Sequence, residues 1–265
     1  MALFDSLFAF GPVRTAIWRL WYPYLTRRLR SEEVVFLNYA FETDPPLALA
    51  LEAGEESNRF SIQLYHHVAS QIELRGLKVL EVSCGHGGGA AWITRHMQPD
   101  HYTALDLNPV GIRFCRERHQ VAGLKFIEGN AQALPFADAE FDAVINVEAS
   151  HCYPDFPLFL SEVSRVLRPG GHLLYADFRY CDTIEAWEKA FVDCTMELLA
   201  TRDISREVLR GMDRNAKRSE ALVRERLPGF LHKLGADFAG VPGARVYAAL
   251  QSGDLSYRSS CMKNA

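Results

Sequence analysis

Four glycines within five positions follow an apolar run in the segment VLEVSCGHGGGA, residues 79–90. Glycine adopts backbone conformations and permits close contacts that a side chain excludes, so this cluster marks a tight turn or a close approach to the backbone. The apolar run before it predicts a buried strand, and the small residues after it predict the start of a helix. Such a strand–turn–helix unit is typical of open parallel sheets, which bind ligands at the carboxyl ends of their strands.

The same alternation of short apolar runs and helical patterns continues downstream. The predicted strands are 78–83, 101–107, 124–130, 141–147 and 171–178. The segments between them have apolar residues at helical spacing, and RPGG at 168–171 predicts a helix stop followed by a turn. Strands that alternate with helices indicate a parallel sheet covered by helices on both faces.

The C-terminal third departs from this rhythm. Residues 180–240 have helical patterns with no strand between them, which predicts a helical insertion that serves as a lid. ARVYAALQ (244–251) and LSYRSSCMK (255–263) flank SGD and predict an antiparallel hairpin. We therefore expect an α/β, Rossmann-like fold with a mostly parallel seven-stranded sheet, a C-terminal antiparallel hairpin and a helical lid insertion. The predicted units are an N-terminal helical cap (1–70), a cofactor-binding α/β core (71–178), the helical lid (179–240) and the hairpin (241–265).

Composition narrows the class of protein. The net charge of −4 gives no reason to expect nucleic acid as a partner. The six cysteines are scattered, with no CxxC pair and no clustering with histidine, which predicts reduced thiols and no metal site. Residues 1–13 lack the basic start of a signal peptide and are too short to span a bilayer. These features predict a cytoplasmic protein.

Residues 1–30 have a local charge imbalance. They contain five arginines and the single acid Asp5, interleaved with tryptophan, tyrosine and leucine. One interpretation is a helix that packs on the domain with its arginines in solvent. The other is a basic, aromatic segment that makes transient contact with a membrane surface or admits a lipid, so that the protein is peripheral to the membrane. The sequence leaves both open.

Two acids indicate the kind of ligand that the glycine turn binds. Asp106 closes the second predicted strand 19 residues after Gly87, where a carboxylate can accept hydrogen bonds from both hydroxyls of a ribose. Glu81 lies inside the first strand, where it disfavours a phosphate and suits a cationic ligand with an amino group. S-adenosylmethionine combines a ribose and an adenine with a sulfonium and an α-ammonium group. It is therefore the predicted cofactor.

These residues resemble class I S-adenosylmethionine-dependent methyltransferases. EGNAQALPF (128–136) is similar to the family segment that lines the adenine, with Asn130 where the family usually has Asp. FDAVINVEASH (141–151) and VLRPGGHLLYADF (166–178) resemble the strand-four and strand-five motifs. No Asp/Asn cluster that would suggest magnesium ligands follows strand four, so no metal is expected. The resemblance has a further implication for the site residues. It implies cofactor contacts at Glu81, Ser83, Gly85, Gly87, Asp106, Leu107, Asn130, Ala131 and Asn146.

A narrower resemblance covers nearly the whole chain. VLEVSCGHGGGA, YTALDLN, NVEASHCYP and LSYR, together with FLNYAFETDPP and EESNR, are similar to the mycobacterial phthiotriol and phenolphthiotriol dimycocerosate methyltransferases. That family methylates an oxygen on very long lipids, and related fatty-acid O-methyltransferases esterify a carboxylate. The resemblance implies an S-adenosylmethionine-dependent O-methyltransferase with a long-chain lipid substrate, in which the acceptor is a hydroxyl or a carboxylate.

The candidate catalytic residues follow the fourth and fifth strands. A carboxylate acceptor arrives ionised, whereas an alcohol must lose a proton, to which a nearby base can contribute roughly 10²–10⁴-fold. His151 is the predicted base, because it lies on the loop after strand four and its ordinary pKa suits proton transfer. Asp177 ends the neighbouring strand and is predicted to orient the imidazole, and Glu148 is a second candidate partner.

Two alternative functions remain open from the sequence. The first is methylation of a small sugar or polyketide hydroxyl, against which the aromatic N-terminus and the apolar insertion argue. The second is a non-catalytic module that binds S-adenosylmethionine, against which the intact loop with His151 and Asp177 argues.

Overall fold

A single seven-stranded sheet organises the computed structural model, which describes residues 34–265. The strands are β1 (Lys78–Val82), β2 (His101–Asp106), β3 (Leu124–Glu128), β4 (Phe141–Val147), β5 (Leu167–Tyr180), β6 (Glu197–Asp203) and β7 (Leu255–Lys263). Their order is β3-β2-β1-β4-β5-β7-β6. β1 to β5 run parallel, and β7 is antiparallel to both β5 and β6. The mostly parallel sheet with antiparallel C-terminal strands is thus confirmed.

Helices cover both faces of this sheet. They are α1 (Arg59–Ala69), α2 (Gly88–Met97), α3 (Pro109–Arg118), α4 (Phe156–Val166), α5 (Cys181–Asp193), α6 (Ser205–Arg226), α7 (His232–Phe238) and α8 (Arg245–Ser252). Short 3₁₀ turns lie at Glu56–Asn58, Ser150–Cys152 and Gly229–Leu231. Buried residues of α1, α2, α3, α6 and α8 share one apolar core, and those of α4 and α5 share a second core on the opposite face.

The strand order reverses between β1 and β4, and this reversal positions the site. Chain segments leave β1 and β4 in opposite directions across the sheet, so a crevice opens at their carboxyl ends. Helices begin at that edge with clear start signals. The Asn108 side chain accepts a hydrogen bond from the Val110 amide before α3, and the Asp155 side chain accepts one from the Leu158 amide before α4.

Two predicted elements near the C-terminus are wrong. The segment predicted as the first hairpin strand is helix α8, because Val246, Ala249 and Leu250 recur at helical spacing and are buried against the core. The seventh strand is instead β6, within the insertion that was predicted to be entirely helical. Every residue of β6 is exposed, and its sequence shows no alternation of apolar and polar residues that would have predicted a strand. Its hydrogen-bonded pairing with β7 stabilises it as a strand.

Strand β5 also begins earlier than predicted. It starts at Leu167 and includes the RPGG motif, which was predicted as a turn. Gly170 has a φ of 78°, and the pairing with β4 shifts register between Phe141 and Ala143. The motif therefore forms an irregularity within the strand.

An extended segment, residues 34–42, crosses the carboxyl edge of the sheet, and we call it the strap. It contains no helix, whereas α1 (Arg59–Ala69) lies within the described part of the predicted N-terminal cap (1–70). The Val35 carbonyl accepts a hydrogen bond from the Gly88 amide, and the Tyr39 amide donates to Glu148. The hypotheses about residues 1–30 lie outside the described residues, and the division into units stays a prediction. Between residues 34 and 265, no helix is both long and apolar enough to cross a bilayer.

Candidate active site

A cavity of about 500 Å³ lies at the carboxyl ends of β1, β2 and β4, beneath the strap. Its size is typical of a site for a small molecule. Of the predicted site residues, Ser83, Gly85, Asp106, Leu107, Asn130, Ala131 and Glu148 line it. Glu81, Gly87, Asn146, His151 and Asp177 do not contribute to its lining. Lining residues that the sequence did not indicate include Phe36, Leu37, Tyr65, Cys152 and Tyr153.

The glycine loop after β1 is crowded mainly by the protein itself. A Cβ atom added to Gly87 would lie 2.7 Å from the Phe126 ring, and one on Gly89 would lie 2.0 Å from the Tyr65 ring. On Gly88 it would lie 2.5 Å from the Val35 carbonyl oxygen. Three of the four glycines thus permit protein packing, and Gly85 alone among them lines the cavity.

Asp106 lies where a ribose clamp was predicted. Its Oδ2 accepts a hydrogen bond from the Gly85 amide at 2.9 Å, and its Oδ1 accepts one from the Asn108 amide at 2.8 Å. A carboxylate has about four lone-pair sites, so roughly two remain for the hydroxyls of a ligand. Burial raises the pKa of Asp106 to about 6 despite these hydrogen bonds. The geometry therefore fits a dihydroxy ligand.

Glu81 does not reach the cavity. Tyr65 and Tyr102 donate their hydroxyls to its two carboxylate oxygens, each at 2.9 Å. The side chain is buried, and burial raises its pKa to about 7. The contact with a ligand ammonium stays a prediction, because Glu81 does not line the cavity and each of its oxygens already accepts one tyrosine hydroxyl. Tyr65, which lines the cavity, lies between Glu81 and any ligand.

Asn146 is likewise placed beneath the cavity. Its amide nitrogen donates to the Val82 carbonyl and to the Tyr153 hydroxyl, both at 2.9 Å. The Tyr153 hydroxyl lies 2.6 Å from Ser83 Oγ, and both of these residues line the cavity. Ser83 has a φ of 64°, a strained conformation for a residue with a side chain. Asn146 therefore fixes Tyr153, and Tyr153 in turn holds the loop after β1.

Three residues after β2 and β3 form a further wall of the cavity. Leu107 is 44% exposed and Asn130 is also exposed, whereas Ala131 is buried. The Asn130 side-chain oxygen accepts a hydrogen bond from the Gln132 amide at 3.0 Å. One apolar side chain and a pinned amide at this edge suit a flat, polar-rimmed ring such as adenine.

The carboxyl ends of β4 and β5 bring His151 and Asp177 together as predicted. His151 Nδ1 lies 2.8 Å from Asp177 Oδ1, and the His151 backbone amide donates to Asp177 Oδ2 at 2.8 Å. The imidazole stacks on the Phe178 ring at a centroid distance of 4.3 Å. Its side chain is 21% exposed, and its neighbours Ala149 and Cys152 line the cavity. The pair is therefore fixed beside the cavity, with Nε2 as the ring nitrogen not engaged by Asp177.

Arg179 and Ser150 complete this cluster, and neither is among the site residues predicted from the sequence. The Arg179 guanidinium lies 3.2 Å from Asp177 Oδ2 and donates to Ser150 Oγ at 2.8 Å. Ser150 donates to Asp177 at 2.6 Å. Arg179 also lies over the Phe156 and Trp187 rings. One signal was available, because residues two apart on a strand share a face, which places Arg179 beside Asp177.

The charges of the cluster follow from these contacts. Burial alone would raise the pKa of Asp177, but His151 and Arg179 hold it well below its usual range. Burial alone would lower the pKa of His151, yet the adjacent Cys152 sulfur and Asp177 carboxylate outweigh it and raise the pKa to about 10. Asp177 is therefore ionised and His151 is protonated at neutral pH.

Glu148 is engaged elsewhere, although it lies three residues before His151. The Tyr39 amide and the Tyr257 hydroxyl donate to its carboxylate, at 2.9 Å and 2.7 Å. Burial raises its pKa to about 8, so it is mostly protonated at neutral pH. It has a φ of 49° and lines the cavity. No hydrogen bond joins Glu148 to His151 in the described part of the chain, so the predicted partnership is not formed.

The donor set favours an organic cofactor. Within residues 34–265, no group of three or more His, Cys, Asp or Glu side chains is arranged to hold a metal ion. The cavity instead combines a pinned carboxylate, an exposed leucine and the backbone of a glycine loop.

Comparisons with known proteins agree with this geometry. A family model described as a methyltransferase domain matches residues 80–175. The chain is 52% identical to a phthiotriol/phenolphthiotriol dimycocerosates methyltransferase of Mycobacterium leprae, over 91% of this chain and 90% of that protein. It is 49% identical to a fatty-acid O-methyltransferase of Mycolicibacterium smegmatis, over 92% of this chain and 88% of that protein. A solved geranyl diphosphate methyltransferase in complex with S-adenosylmethionine shares the fold, with a TM-score of 0.65 and 15% identity over 88% of this chain and all of that chain.

Proposed function

The chain belongs to the family of phthiotriol/phenolphthiotriol dimycocerosates methyltransferases and fatty-acid O-methyltransferases, and we propose that it methylates an oxygen atom of a long-chain lipid. It is an S-adenosylmethionine-dependent methyltransferase. The choice of an oxygen acceptor rests on the His151–Asp177 pair beside the cavity, in which Nδ1 lies 2.8 Å from Oδ1. That pair can hold or receive a proton, which is the protein's task when oxygen is the nucleophile.

The chain's own residues would bind and orient the cofactor. Asp106 would accept hydrogen bonds from the ribose hydroxyls, while Leu107 and Asn130 would border the adenine. Gly85 would allow the ligand to approach the loop after β1. S-adenosylmethionine supplies an electrophilic methyl group and its own neutral leaving group, so the protein's contribution is alignment and control of charge at the acceptor.

The charge of the site favours a carboxylate acceptor. Arg179 offsets the buried charge of Asp177, and Glu148 is mostly protonated at neutral pH. With its pKa raised, His151 carries a positive charge at neutral pH. An imidazolium donates a charge-assisted hydrogen bond to a carboxylate, which fixes one of its oxygens and leaves the other to attack the methyl carbon. The proposed acceptor is therefore a long-chain fatty acid, which yields a methyl ester.

A lipid hydroxyl is the second candidate, and the relatives named for phthiotriol dimycocerosates favour it. In that case, His151 must first lose its proton, so that Nε2 can accept the hydroxyl proton while the oxygen attacks. The raised pKa of His151 then works against the reaction at neutral pH.

The two acceptors predict opposite pH dependences, which gives the test. With a long-chain fatty acid, we expect kcat/KM to fall as pH rises toward the His151 pKa of about 10, because the imidazolium that holds the carboxylate is lost. With the fatty alcohol of equal chain length, we expect kcat/KM to rise over the same range, because the free base appears. Transfer of a labelled methyl group into an organic-solvent extract is the measurement. Absence of label from both lipid acceptors, with label entering a sugar or a polyketide, would contradict the proposal.

A further inference from the structure

The segment from Leu227 to Phe238, which comprises the turn between α6 and α7 and helix α7 itself, has two chemically different faces. Its inner face consists of Leu227, Leu231 and Phe238, which pack with Val34 of the strap. On its outer face, Phe230 is 83% exposed and Leu234 is 39% exposed. Phe230 and Leu234 lie four residues apart, so a helical turn places them on one side. The segment thus presents a large aromatic ring and a leucine to solvent although its apolar core is already packed.

Basic residues outnumber acids in the sequence that precedes and includes these two side chains. From Arg214 to Lys233 the sequence has six lysines and arginines and two acids, a local net charge of +4 in a chain whose net charge is −4. Arg214, Lys217, Arg224 and Lys233 are exposed. Arg214, Lys217 and Arg224 are spaced by three and seven residues, which places them on one face of α6. An exposed apolar tip next to a basic stripe is the pattern of a surface that binds anionic bilayers.

This segment also leads toward the candidate active site. A second cavity of about 100 Å³ lies between the strap and helices α6 and α7. Leu227 and Gly235, which flank the outer face in sequence, line it. Phe36, Leu37 and Asn38 of the strap line both this cavity and the larger one. The exposed tip is thus connected to the cofactor cavity through a shared wall.

We propose that Phe230, Lys233 and Leu234, with the basic stripe Arg214, Lys217 and Arg224, form a docking surface for bilayers that contain anionic lipid. The aromatic ring and the leucine insert among the acyl chains, and the cations lie at the level of the phosphate groups. The role of this surface in substrate uptake rests on the proposed lipid acceptor, whereas binding of the surface to a bilayer does not depend on catalysis. Docking there places the wall of the cofactor cavity next to the membrane from which a lipid acceptor is taken.

The test is flotation of the full-length protein with vesicles that contain no acceptor. We expect the protein to float with vesicles of phosphatidylcholine and phosphatidylglycerol, and less with pure phosphatidylcholine or at high salt. The double variant F230S/L234S should lower the partition coefficient by roughly tenfold or more, because two apolar side chains no longer insert. Val192→Ser is the matched control, since Val192 is 80% exposed on α5, outside this surface.

Charge reversal tests the second half of the proposal. The variant K217E/R224E should lower binding to anionic vesicles by about fivefold or more for each cation reversed and remove the preference for phosphatidylglycerol. Lys125→Glu, at an exposed position of β3, should leave binding unchanged. All variants should keep wild-type methyl transfer to a short, water-soluble acceptor.

Several results would overturn the proposal. One is wild-type flotation of F230S/L234S, and another is flotation that depends on residues 1–30 instead. A dimer that F230S/L234S disrupts, with no flotation of the wild type, would show that the surface binds a second copy. None of these results bears on methyl transfer, so failure of the docking surface and failure of the proposed function are distinguishable.

Discussion

The loop after β1 and the loop after β4 border the same cavity but are held by different forces. The loop after β1 is fixed by close packing, in which glycines admit the Tyr65 and Phe126 rings and the Val35 carbonyl. The loop after β4 is fixed by buried charge, in which Asp177 receives hydrogen bonds from His151, Ser150 and its neighbours. The loop after β1 should therefore be destabilised when an atom is added to a glycine. The loop after β4 should be destabilised when a hydrogen-bond or charge partner is removed.

The largest expected effect is on the charged loop. Asp177→Ala should lower the free energy of unfolding by about 3–5 kcal/mol, because it leaves the buried Arg179 without its carboxylate. The double variant D177A/R179M should recover part of this loss, because the buried guanidinium is removed and the His151 imidazole can lose its proton once Asp177 is absent. Denaturant unfolding measures both variants, and Asp177→Asn serves if the alanine variant does not fold. A double variant that is no more stable than the single one would contradict the assigned role of the charge.

At the end of β2, beside the packed loop, removal of the Asp106 carboxylate should affect binding more than folding. Asp106→Ala should weaken S-adenosylmethionine binding by roughly 10–100-fold, because hydrogen bonds to a charged group contribute about 1.5–3 kcal/mol. Calorimetry measures the affinity, with the exposed Asp100→Ala as control. Unchanged affinity in a folded Asp106→Ala protein would contradict the ribose assignment.

Addition of one methyl group tests the packing side of the comparison. Gly89→Ala should cost about 1–3 kcal/mol of stability, because the new Cβ would lie 2.0 Å from the Tyr65 ring, which must move. Gly54→Ala is the matched control, since a Cβ there would meet nothing within 4 Å. Equal melting temperatures for the two variants would show that the loop relaxes without strain.

The remaining effect concerns Glu148, and it depends on pH. Its pKa of about 8 in the folded protein exceeds its ordinary value, so the folded state binds more protons than the unfolded state between about pH 4.5 and 8. Wild-type stability should therefore fall as pH rises through that window. Glu148→Gln should remove this slope, because its side-chain oxygen can still accept from Tyr39 and Tyr257. Thermal melts measured from pH 5 to pH 9 give the comparison, in which each kcal/mol corresponds to roughly 2–4 °C. Parallel curves for the two proteins would contradict the role of Glu148.

The predictable elements of the fold are those whose buried side chains produce an apolar pattern in the sequence. The apolar runs of the parallel strands identified β1 to β5, whereas β6 is exposed along its whole length and has no such pattern. The sequence of helix α8 predicts a strand because valine and tyrosine are common in strands, whereas packing on the core stabilises a helix there. Local sequence thus predicts an element only where the burial of its own side chains determines it.

The site divides in the same way. His151 and Asp177 were predictable, because the carboxyl ends of neighbouring parallel strands meet at one edge. The role of Glu81 was not, because Tyr65 and Tyr102 reach its carboxylate from α1 and β2, and no local pattern encodes that contact. The sequence identified which polar groups are unusual, whereas the tertiary structure determines which of them a ligand can reach.

The strap is anchored to both loops through its main chain, at the Val35 carbonyl and the Tyr39 amide. These two atoms are present whatever the side chains are, with proline the exception at position 39. Between the anchors, the side chains of Phe36, Leu37 and Asn38 line both cavities. The two main-chain anchors therefore do not depend on the side chains of Phe36 and Leu37, whereas Asn38 adds side-chain hydrogen bonds to the Tyr39 and Ser61 carbonyls. Substitution of Phe36 or Leu37 can thus reshape the wall of both cavities while the two anchors stay in place.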